Sequence, residues 1–219
     1  MLLILKILLI LGIAVQTFSC TTEIEPPPPL SNEITQNGIS YGILSYQGQN
    51  YKTVKIGDQV WMAENLNYYA DGSRCCGDNT GGDSQNRCGT YGRLYNWDAA
   101  MAVCPSGWHL PSDAEWTTLT NYVESQGGCS NCAGMRLKAT SGWSSGNGSD
   151  DHGFSALPGG NGRSDGSFSN VGNYGSWWSA NENNSNDAYS RIMYYNYEST
   201  YRYNYLKTNL FSVRCVQDE

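Results

Sequence analysis

The alternation of apolar and polar residues predicts β-strands near both ends of the folded part of the chain. Residues 51–56 alternate, Gly57-Asp58 supplies a two-residue turn, and Gln59-Val60-Trp61 continues the pattern on the way back. These three features together indicate a hairpin. From Trp177 onward the same period of two predicts further strands, over 189–195, 200–205 and 211–216.

Two helices are predicted between these strand regions. The first follows Asn96, whose side chain can cap it, and stops at Cys104-Pro105 because the residue before a proline resists helical geometry. The second begins at the capping box Ser112-Asp113-Ala114-Glu115 and extends to about residue 124. Its apolar residues recur at helical spacing, and these are Trp116, Leu119 and Val123.

The rest of the chain predicts long loops. Polar, glycine-rich stretches occupy about 69–89 and 132–175, and loops of this length are usually functional or pinned by anchor side chains. The 25 glycines, 16 tyrosines and 7 tryptophans, with 15% charged residues, indicate a loop-rich protein with an aromatic core. The net charge of -7 argues against a nucleic-acid partner, which basic residues would have to hold by its phosphates.

The N-terminal sequence predicts that the protein is exported and anchored by a lipid. Residues 1–19 form an apolar run with one charge, Lys6, as in a secretory signal peptide. Thr17-Phe18-Ser19-Cys20 resembles a loose bacterial lipobox, so Cys20 is the expected lipid attachment site, and simple cleavage or an uncleaved anchor helix are the alternatives. Residues 20–37, with four consecutive prolines, are read as an extended tether. A globular domain is expected over 38–219, displayed outside the outer membrane.

One segment has the composition of a binding surface. Residues 189–205 contain seven of the 16 tyrosines together with asparagine and serine, the mixture found in antibody paratopes. Alternation places three of these tyrosines on one strand face. The predicted ligand-binding residues are Tyr189, Tyr194, Tyr195, Asn196, Tyr197, Tyr201, Tyr203, Asn204 and Tyr205. The plain alternative is a set of tyrosine-rich edge strands without a ligand, since tyrosine also favours strands.

Several blocks resemble one known family. They are YKTVKIGDQVWMAENL (51–66), YGRLYNWDAAMAVCPSGWHLPSDAEWTTL (91–119), GFSALPGG (153–160), WWSA (177–180) and FSVRCV (211–216). In this order they resemble the Fibrobacter succinogenes major paralogous domain. That family is similar in pattern to the C-type-lectin-like fold and its formylglycine-generating-enzyme branch, whose helix start resembles residues 107–116.

The resemblance implies a fold and a disulfide. The expected fold class is α+β, a loop-rich C-type-lectin-like domain with two short helices on a small antiparallel sheet and its termini close together. The resemblance further implies that Cys104 pairs with Cys215. Closing so long a loop would stabilise the fold by about 4–5 kcal/mol in the chain-entropy model.

The remaining cysteines also favour disulfides over metal binding. The chain has eight, in an exported context. Cys129 and Cys132 are expected to pair locally, and one pair is expected among Cys75, Cys76 and Cys88. A zinc site built from these residues is the less favoured alternative, because two well-spaced CxxC pairs are lacking.

Catalysis and cofactors are not expected. Formylglycine-generating enzymes bind copper through two cysteines near the C-terminus, and 189–209 contains no cysteine. His109 is interpreted as a packed core residue, and neither it nor His152 has a neighbouring nucleophile pattern. Calcium could bind loop acids, but solvated carboxylates are the preferred interpretation. These acids are Asp150, Asp151, Asp165, Glu182 and Asp187.

Three hypotheses about function follow. The first is a surface-displayed module that binds a protein or glycan through its tyrosines. Its segment also resembles the variable region that retroelements diversify in some C-type-lectin-like lipoproteins. The second is a formylglycine-generating-type enzyme. The third is a structural or adhesive lipoprotein whose tyrosines only fill strand faces.

Overall fold

A computed structural model describes residues 33–75 and 87–219. The predicted signal peptide, Cys20, most of the predicted tether, and Cys76 lie outside these residues. Within the described part of the chain no helix is long and apolar enough to cross a membrane.

The first sheet collects both ends of the folded chain. Its strand order is β1-β2-β3-β4-β14-β7, with every neighbouring pair antiparallel. The strands are β1 Ile34–Gln36, β2 Ile39–Tyr46, β3 Gln49–Ile56, β4 Gln59–Met62, β7 Trp108–His109 and β14 Val216–Gln217. The predicted hairpin at Gly57-Asp58 joins β3 to β4, with Ile56 opposite Gln59. The first and last strand regions are therefore parts of one sheet.

The first strand of this sheet lies before residue 38, where the domain is predicted to start. Strand β1 pairs with β2 through a two-residue turn, Asn37-Gly38. Both turn residues have positive φ, 53° and 78°, the backbone that matches hairpin twist and that Asn-Gly adopts readily. Residues 34–36, assigned above to the tether, thus belong to the first sheet, and the described residues 33–75 and 87–219 lie in one compact unit.

The second sheet carries the tyrosine-rich strands at its edge. Its order is β12-β11-β10-β13-β6-β5, and the pairing of β10 with β13 is parallel. The strands are β5 Ser73–Arg74, β6 Leu94–Tyr95, β10 Tyr174–Glu182, β11 Asp187–Tyr194, β12 Thr200–Leu206 and β13 Phe211–Ser212. A short hairpin, β8 Asn161–Gly162 with β9 Phe168–Ser169, forms a separate two-stranded sheet that contacts it through Gly162 and Leu210. The expected small antiparallel sheet is therefore replaced by two six-stranded sheets, one of them mixed.

The described residues contain four helices where two were predicted. They are α1 Arg87–Tyr91, α2 Trp97–Ala102, α3 Asp113–Gly127 and α4 Ala133–Leu137. Asn96 caps α2, and both hydrogen bonds of the Ser112–Glu115 capping box are present at the start of α3. Gly128 ends α3 in the left-handed conformation, φ 60°. Helices α1 and α4 have about one turn each, too short to show a helical period in sequence. The α+β class holds.

Two aromatic cores lie on opposite sides of β10. Trp177 packs in one with Trp61, Trp116 and Phe154. Its neighbour Trp178 packs in the other, where its ring lies 4.4 Å from that of Phe211. Successive strand residues point to opposite faces, so a single Trp-Trp pair anchors β10 in both cores.

Three disulfides tie the domain together. Cys104, just after α2, is bonded to Cys215, and Cys129 is bonded to Cys132. Of the three cysteines left open by the sequence, Cys75 pairs with Cys88. The first of these bonds closes a sequence separation of 111 residues.

Candidate functional site

Six tyrosines share one face of the second sheet at its open edge. Tyr201, Tyr203 and Tyr205 alternate along β12, and the pairing register places them beside Ile192, Ser190 and Ala188 of β11. Tyr194 of β11 and Tyr174 of β10 are opposite each other on the same face. With Tyr197 from the β11–β12 turn, these residues form the surface called the tyrosine face below: Tyr174, Tyr194, Tyr197, Tyr201, Tyr203 and Tyr205.

The rings of the tyrosine face are in continuous contact. Ring centroids lie 4.6 Å apart for Tyr174–Tyr194, 5.3 Å for Tyr194–Tyr201, 6.1 Å for Tyr201–Tyr203 and 6.3 Å for Tyr203–Tyr205. Most pairs meet edge to face, but the Tyr201 and Tyr203 rings are nearly parallel, at 16°. Tyr205 then contacts Phe211 at 5.3 Å, which joins the row to the second core.

No member of the tyrosine face is buried. Tyr197 is 52% exposed and Tyr203 42% exposed, while the other four are partly exposed. Had most of them been buried, they would be core residues and the binding hypothesis would fail. The observed exposure of these tyrosines is therefore compatible with the hypothesis that they bind a ligand.

The phenol hydroxyls on this face lie close to one another. Burial raises the pKa of the Tyr194 hydroxyl, and a hydrogen bond with Tyr203 together with the phenols of Tyr203, Tyr205 and Tyr174 raises it further. Burial also raises the pKa of Tyr205, with additions from Tyr203 and Tyr174. Neutral phenols both donate and accept hydrogen bonds. The face therefore combines ring surface with clustered hydroxyl groups.

Among the described residues, one strand position on this face is charged: Glu182 at the end of β10, opposite Ala188, which is paired with Lys207 at 2.7 Å. Between the tyrosines lie small or apolar side chains that are all buried, namely Ser176, Trp178, Ala188, Ser190 and Ile192. The arginines of the same hairpin, Arg191 and Arg202, are opposite each other in register and one residue out of phase with the tyrosines. Alternation along the strands thus places both arginines on the face opposite the tyrosines.

Buried Lys138 holds the turn that carries Tyr194 and Tyr197. Its Nζ donates to the carbonyl oxygens of Tyr194 (3.1 Å), Tyr197 (3.0 Å) and Gly146 (2.8 Å), and lies 3.5 Å from that of Tyr195. Lys138 is 2% exposed, and burial lowers its pKa. The sequence analysis missed this residue, because its acceptors on the turn are 56–59 positions away.

One comparison with known proteins identifies the family. The family model described as the Fibrobacter succinogenes major domain matches residues 54–217, which is more than half of the chain. The chain belongs to this family. The resemblance of the sequence blocks is thereby confirmed. A search of curated proteins and a search of solved structures gave no match.

In this Fibrobacter succinogenes major domain, four of the nine predicted binding residues lie away from the tyrosine face. Tyr189 is on the opposite face, where its ring stacks on Arg202 at 3.6 Å, and Asn204 is opposite Tyr189 in register. Tyr195 packs against the first core, and Asn196 is exposed in the turn. The alternation of side chains along a strand places Tyr189 and Asn204 on the opposite face. Tyr195 and Asn196 belong to the turn between β11 and β12.

The opposite face of the hairpin is tied to helix α3. Asp113, the first residue of α3, accepts from the Arg202 Nε at 2.9 Å and forms an ion pair with buried Arg191. Although partial burial opposes it, hydrogen bonds from Arg202 and Arg191 lower the pKa of Asp113. This face is therefore occupied by an internal ion-pair network, which leaves the tyrosine face as the free side of the hairpin.

Tyr174 is the member of the tyrosine face that sequence reasoning missed. It lies fifteen positions before the predicted segment and has no tyrosine neighbours in sequence. The pairing of β10 with β11 brings it opposite Tyr194. Tyr174 could have been found only by predicting that β10 pairs with β11 and in which register.

The histidines and loop acids have other partners. His109 is not a packed core residue: its side chain is 42% exposed and its ring nitrogens lie 2.6 Å from Asp218 and 2.7 Å from Glu115. Its place at the end of strand β7, just before α3, brings it to these carboxylates. Among the described residues no group of three or more histidine, cysteine or acidic side chains is arranged to bind a metal. Most of the loop acids bond to protein groups, as in the pairs Asp150–Ser155, Asp151–Arg136, Asp165–Ser167, Glu182–Lys207 and Asp187–Asn184.

A cleft of about 620 Å³ is lined by residues of β1, β2 and β3, by Ala63 and Glu64 after β4, and by the loop after α4. Buried Tyr41 and the carboxyl of Asp150 both line it, and burial raises the pKa of each. None of the predicted binding residues lines this cleft.

Proposed function

We propose that this protein is a surface-displayed binding protein whose ligand contacts the tyrosine face. One observation carries the proposal: six contiguous tyrosines, none buried, form an uncharged row on the open face of an edge hairpin. Exposed aromatic patches of this kind mark interaction sites. Tyrosine offers a large, stiff contact area at low entropic cost. The ligand is a protein or a glycan.

The proposal includes display from the outer membrane. A signal peptide over residues 1–19, diacylated Cys20 and a proline-rich tether would place the domain outside the lipid surface. Two or more acyl chains anchor a protein stably, whereas one is marginal. The membrane is thus a partner through the lipid, while the tyrosine face stays free for the ligand.

The proposed fold family is C-type-lectin-like. Two features support it: the capping-box helix α3 packed on β10 and β11, and the disulfide from the end of α2 to the segment before the last strand. The first and last strands also lie in one sheet, as expected if the termini are close. Calcium is not part of the proposal.

Retroelement diversification is a further part of the proposal. Exposed Asn196, Tyr197, Tyr203 and Asn204 are positions where a side chain can change without disturbing a core. The check is genomic: a neighbouring reverse transcriptase gene and a near-identical template copy of this segment are expected. Their absence from the source genome would remove diversification and leave binding untouched.

Two other functions compete with binding. A purely structural lipoprotein predicts that the exposed tyrosines can be replaced without consequence. A formylglycine-generating-type enzyme needs cysteines near the C-terminus, and 189–209 has none. We therefore propose a non-catalytic role.

Array binding with matched variants tests the proposal. Purified full-length protein in detergent is applied to glycan and cell-surface protein arrays. Tyr203→Ala and Tyr197→Ala are compared with Tyr69→Ala, because Tyr69 is 64% exposed and outside the tyrosine face. The expected result is loss of the same signals in the first two variants, with unchanged melting temperature and with Tyr69→Ala behaving as wild type. Equal signals from all four proteins contradict the proposal.

A further inference from the structure

The tyrosine face differs from a general aromatic patch in shape, charge and polar content. We infer that its ligand is an uncharged polysaccharide, bound along the row of rings without a metal ion. This inference rests on the proposed function, whose ligand was left as protein or glycan, and it makes that ligand specific. Three properties of the face support it.

The first property is an extended, partly flat ring surface. Five rings run in sequence from Tyr174 to Tyr205, with neighbouring centroids 4.6 to 6.3 Å apart. Such steps are comparable to the length of one sugar unit in an extended chain. Tyr201 and Tyr203 lie within 16° of parallel, and a pyranose ring presents a flat C–H face that packs on such a platform. A chain of several sugars can therefore contact several rings at once.

The second property is the lack of an unpaired cation beside the rings. The strand residues beneath the rings are neutral, and Arg191 and Arg202 of the same hairpin pair with Asp113 behind the sheet. An acidic polysaccharide would need cations on the binding side to compensate its desolvated carboxylates or sulfates. Among the described residues the strand positions of this face supply no cation, and Lys207, just after β12, is paired with Glu182 at 2.7 Å. A neutral chain needs no such compensation.

The third property is clustered hydroxyl groups without exposed aliphatic side chains. Tyr194 forms a hydrogen bond with Tyr203, and its ring lies 4.6 Å from that of Tyr174, so hydroxyl groups from three strands are near neighbours. Each donates and accepts, as sugar hydroxyls do. The aliphatic strand residue on this face, Ile192, is 2% exposed. Protein interfaces use tyrosine together with arginine and apolar anchors, and the strand positions of this face supply tyrosine without exposed aliphatic or arginine side chains.

The test compares neutral and acidic polysaccharides. Full-length protein in detergent is run in affinity gels containing xylan, mannan or starch, and pulled down on insoluble cellulose. Polygalacturonate and hyaluronan are the acidic probes. The expected result is retardation or capture by at least one neutral probe, unchanged between low and high salt and after addition of EDTA, since uncharged contacts are not screened.

Variants then place the polysaccharide on the rings. Tyr201→Ala and Tyr203→Ala are each expected to weaken binding to that neutral probe by about tenfold or more. Tyr203→Phe, which keeps the ring, is expected to weaken it less, and Tyr69→Ala is expected to bind as wild type. A wild-type affinity in Tyr201→Ala and Tyr203→Ala, with the fold intact, would overturn the inference.

The outcomes separate this inference from the proposed function. Binding to protein probes or acidic polysaccharides alone, lost in the tyrosine variants, overturns the neutral-polysaccharide inference and supports the tyrosine face as a binding surface. Loss of neutral-polysaccharide binding in EDTA overturns the metal-free part. If every ligand found on the arrays binds the tyrosine variants as tightly as wild type, both the inference and the proposed function fail.

Discussion

Arg214 is a charged side chain that lies entirely inside the protein. Its Nε donates to Asn65 at 2.8 Å, and its terminal nitrogens donate to the backbone carbonyls of Ser155 and Phe154. It forms no ion pair with a carboxylate among the described residues, and burial lowers its pKa to about 9. Arg214 therefore joins the segment just after β4 to the loop after α4 through hydrogen bonds to uncharged groups.

Replacing Arg214 is expected to destabilise the domain strongly. Arg214→Met fills similar volume but leaves the carbonyl groups of Phe154 and Ser155 without this donor, and buried Asn65 keeps only the Trp177 indole N–H as donor to its side-chain oxygen. Each unsatisfied buried group costs about 1–3 kcal/mol, so a loss of about 3 kcal/mol or more is expected in urea unfolding. The control is Arg163→Met, an exposed arginine in the β8–β9 region. A loss no larger than that of the control would contradict the assigned role.

The His109 cluster predicts a pH-dependent contribution to stability. Partial burial opposes protonation, but hydrogen bonds to Asp218 and Glu115 outweigh it and raise the pKa of His109. A raised pKa in the folded state means that the contribution is complete below the unfolded value, about 6.5. It is lost as pH rises through the folded value. Hydrogen bonds within the capping box and to His109 lower the pKa of Glu115 despite burial, so its own contribution is lost in acid.

The expected outcome is a melting-temperature difference between wild type and His109→Gln that shrinks with pH. Wild type is expected to melt higher than the variant at about pH 5.5, and the gap is expected to close by about pH 8.5. Differential scanning fluorimetry at both values measures this. A gap that is constant across the range, or that widens with pH, would show that His109 contributes by packing alone.

At the scale of elements, Lys138 links α4 to the β11–β12 turn. Lys138→Met keeps the buried stem but removes the donor shared by the carbonyls of residues 194, 195 and 197. We expect a stability loss of about 2 kcal/mol and faster amide exchange at Tyr195, whose N–H donates to Asn173 at 2.8 Å. Exposed Lys55→Met is the control. Unchanged exchange at Tyr195 in Lys138→Met would show that the turn does not depend on the lysine.

Elements with local causes could be predicted from the sequence. The capping box fixes the start of α3, and Gly57 fixes the β3–β4 turn. Asn37-Gly38 is an equally strong hairpin signal, and residues 34–36 before it, assigned above to the tether, form β1. Helices α1 and α4 have five residues each, so no period could reveal them.

The candidate site was predictable in composition and only partly in geometry. The tyrosine-rich range pointed to β11 and β12, and alternation placed Tyr201, Tyr203 and Tyr205 together. Tyr174 and Lys138 were missed because both reach the site through long-range pairing. Such contacts depend on strand register and packing, which a single sequence does not contain.

At the scale of the whole molecule, the tyrosine face depends on both cores. Trp177 and Trp178 fix β10 from its two sides, and β10 positions β11, which positions β12. The opposite face of the hairpin is fixed to α3 by Asp113. A flat row of rings therefore rests on a rigid support, which limits the entropy lost on binding.

The long disulfide is expected to contribute most to global stability. Cys104–Cys215 spans 111 positions and Cys129–Cys132 spans 3. In the chain-entropy model these correspond to about 5 and about 2 kcal/mol. We therefore expect the double variant Cys104→Ala with Cys215→Ala to lose more stability than the double variant Cys129→Ala with Cys132→Ala. Urea unfolding under oxidising conditions measures both losses. Equal losses would mean that the bonds act on the folded state and not by restricting the unfolded chain.

Since Cys215 precedes β14, we further expect loss of the Cys104–Cys215 bond to loosen the first sheet. Faster amide exchange at Met62, whose N–H donates to the Cys215 carbonyl at 3.0 Å, would show this.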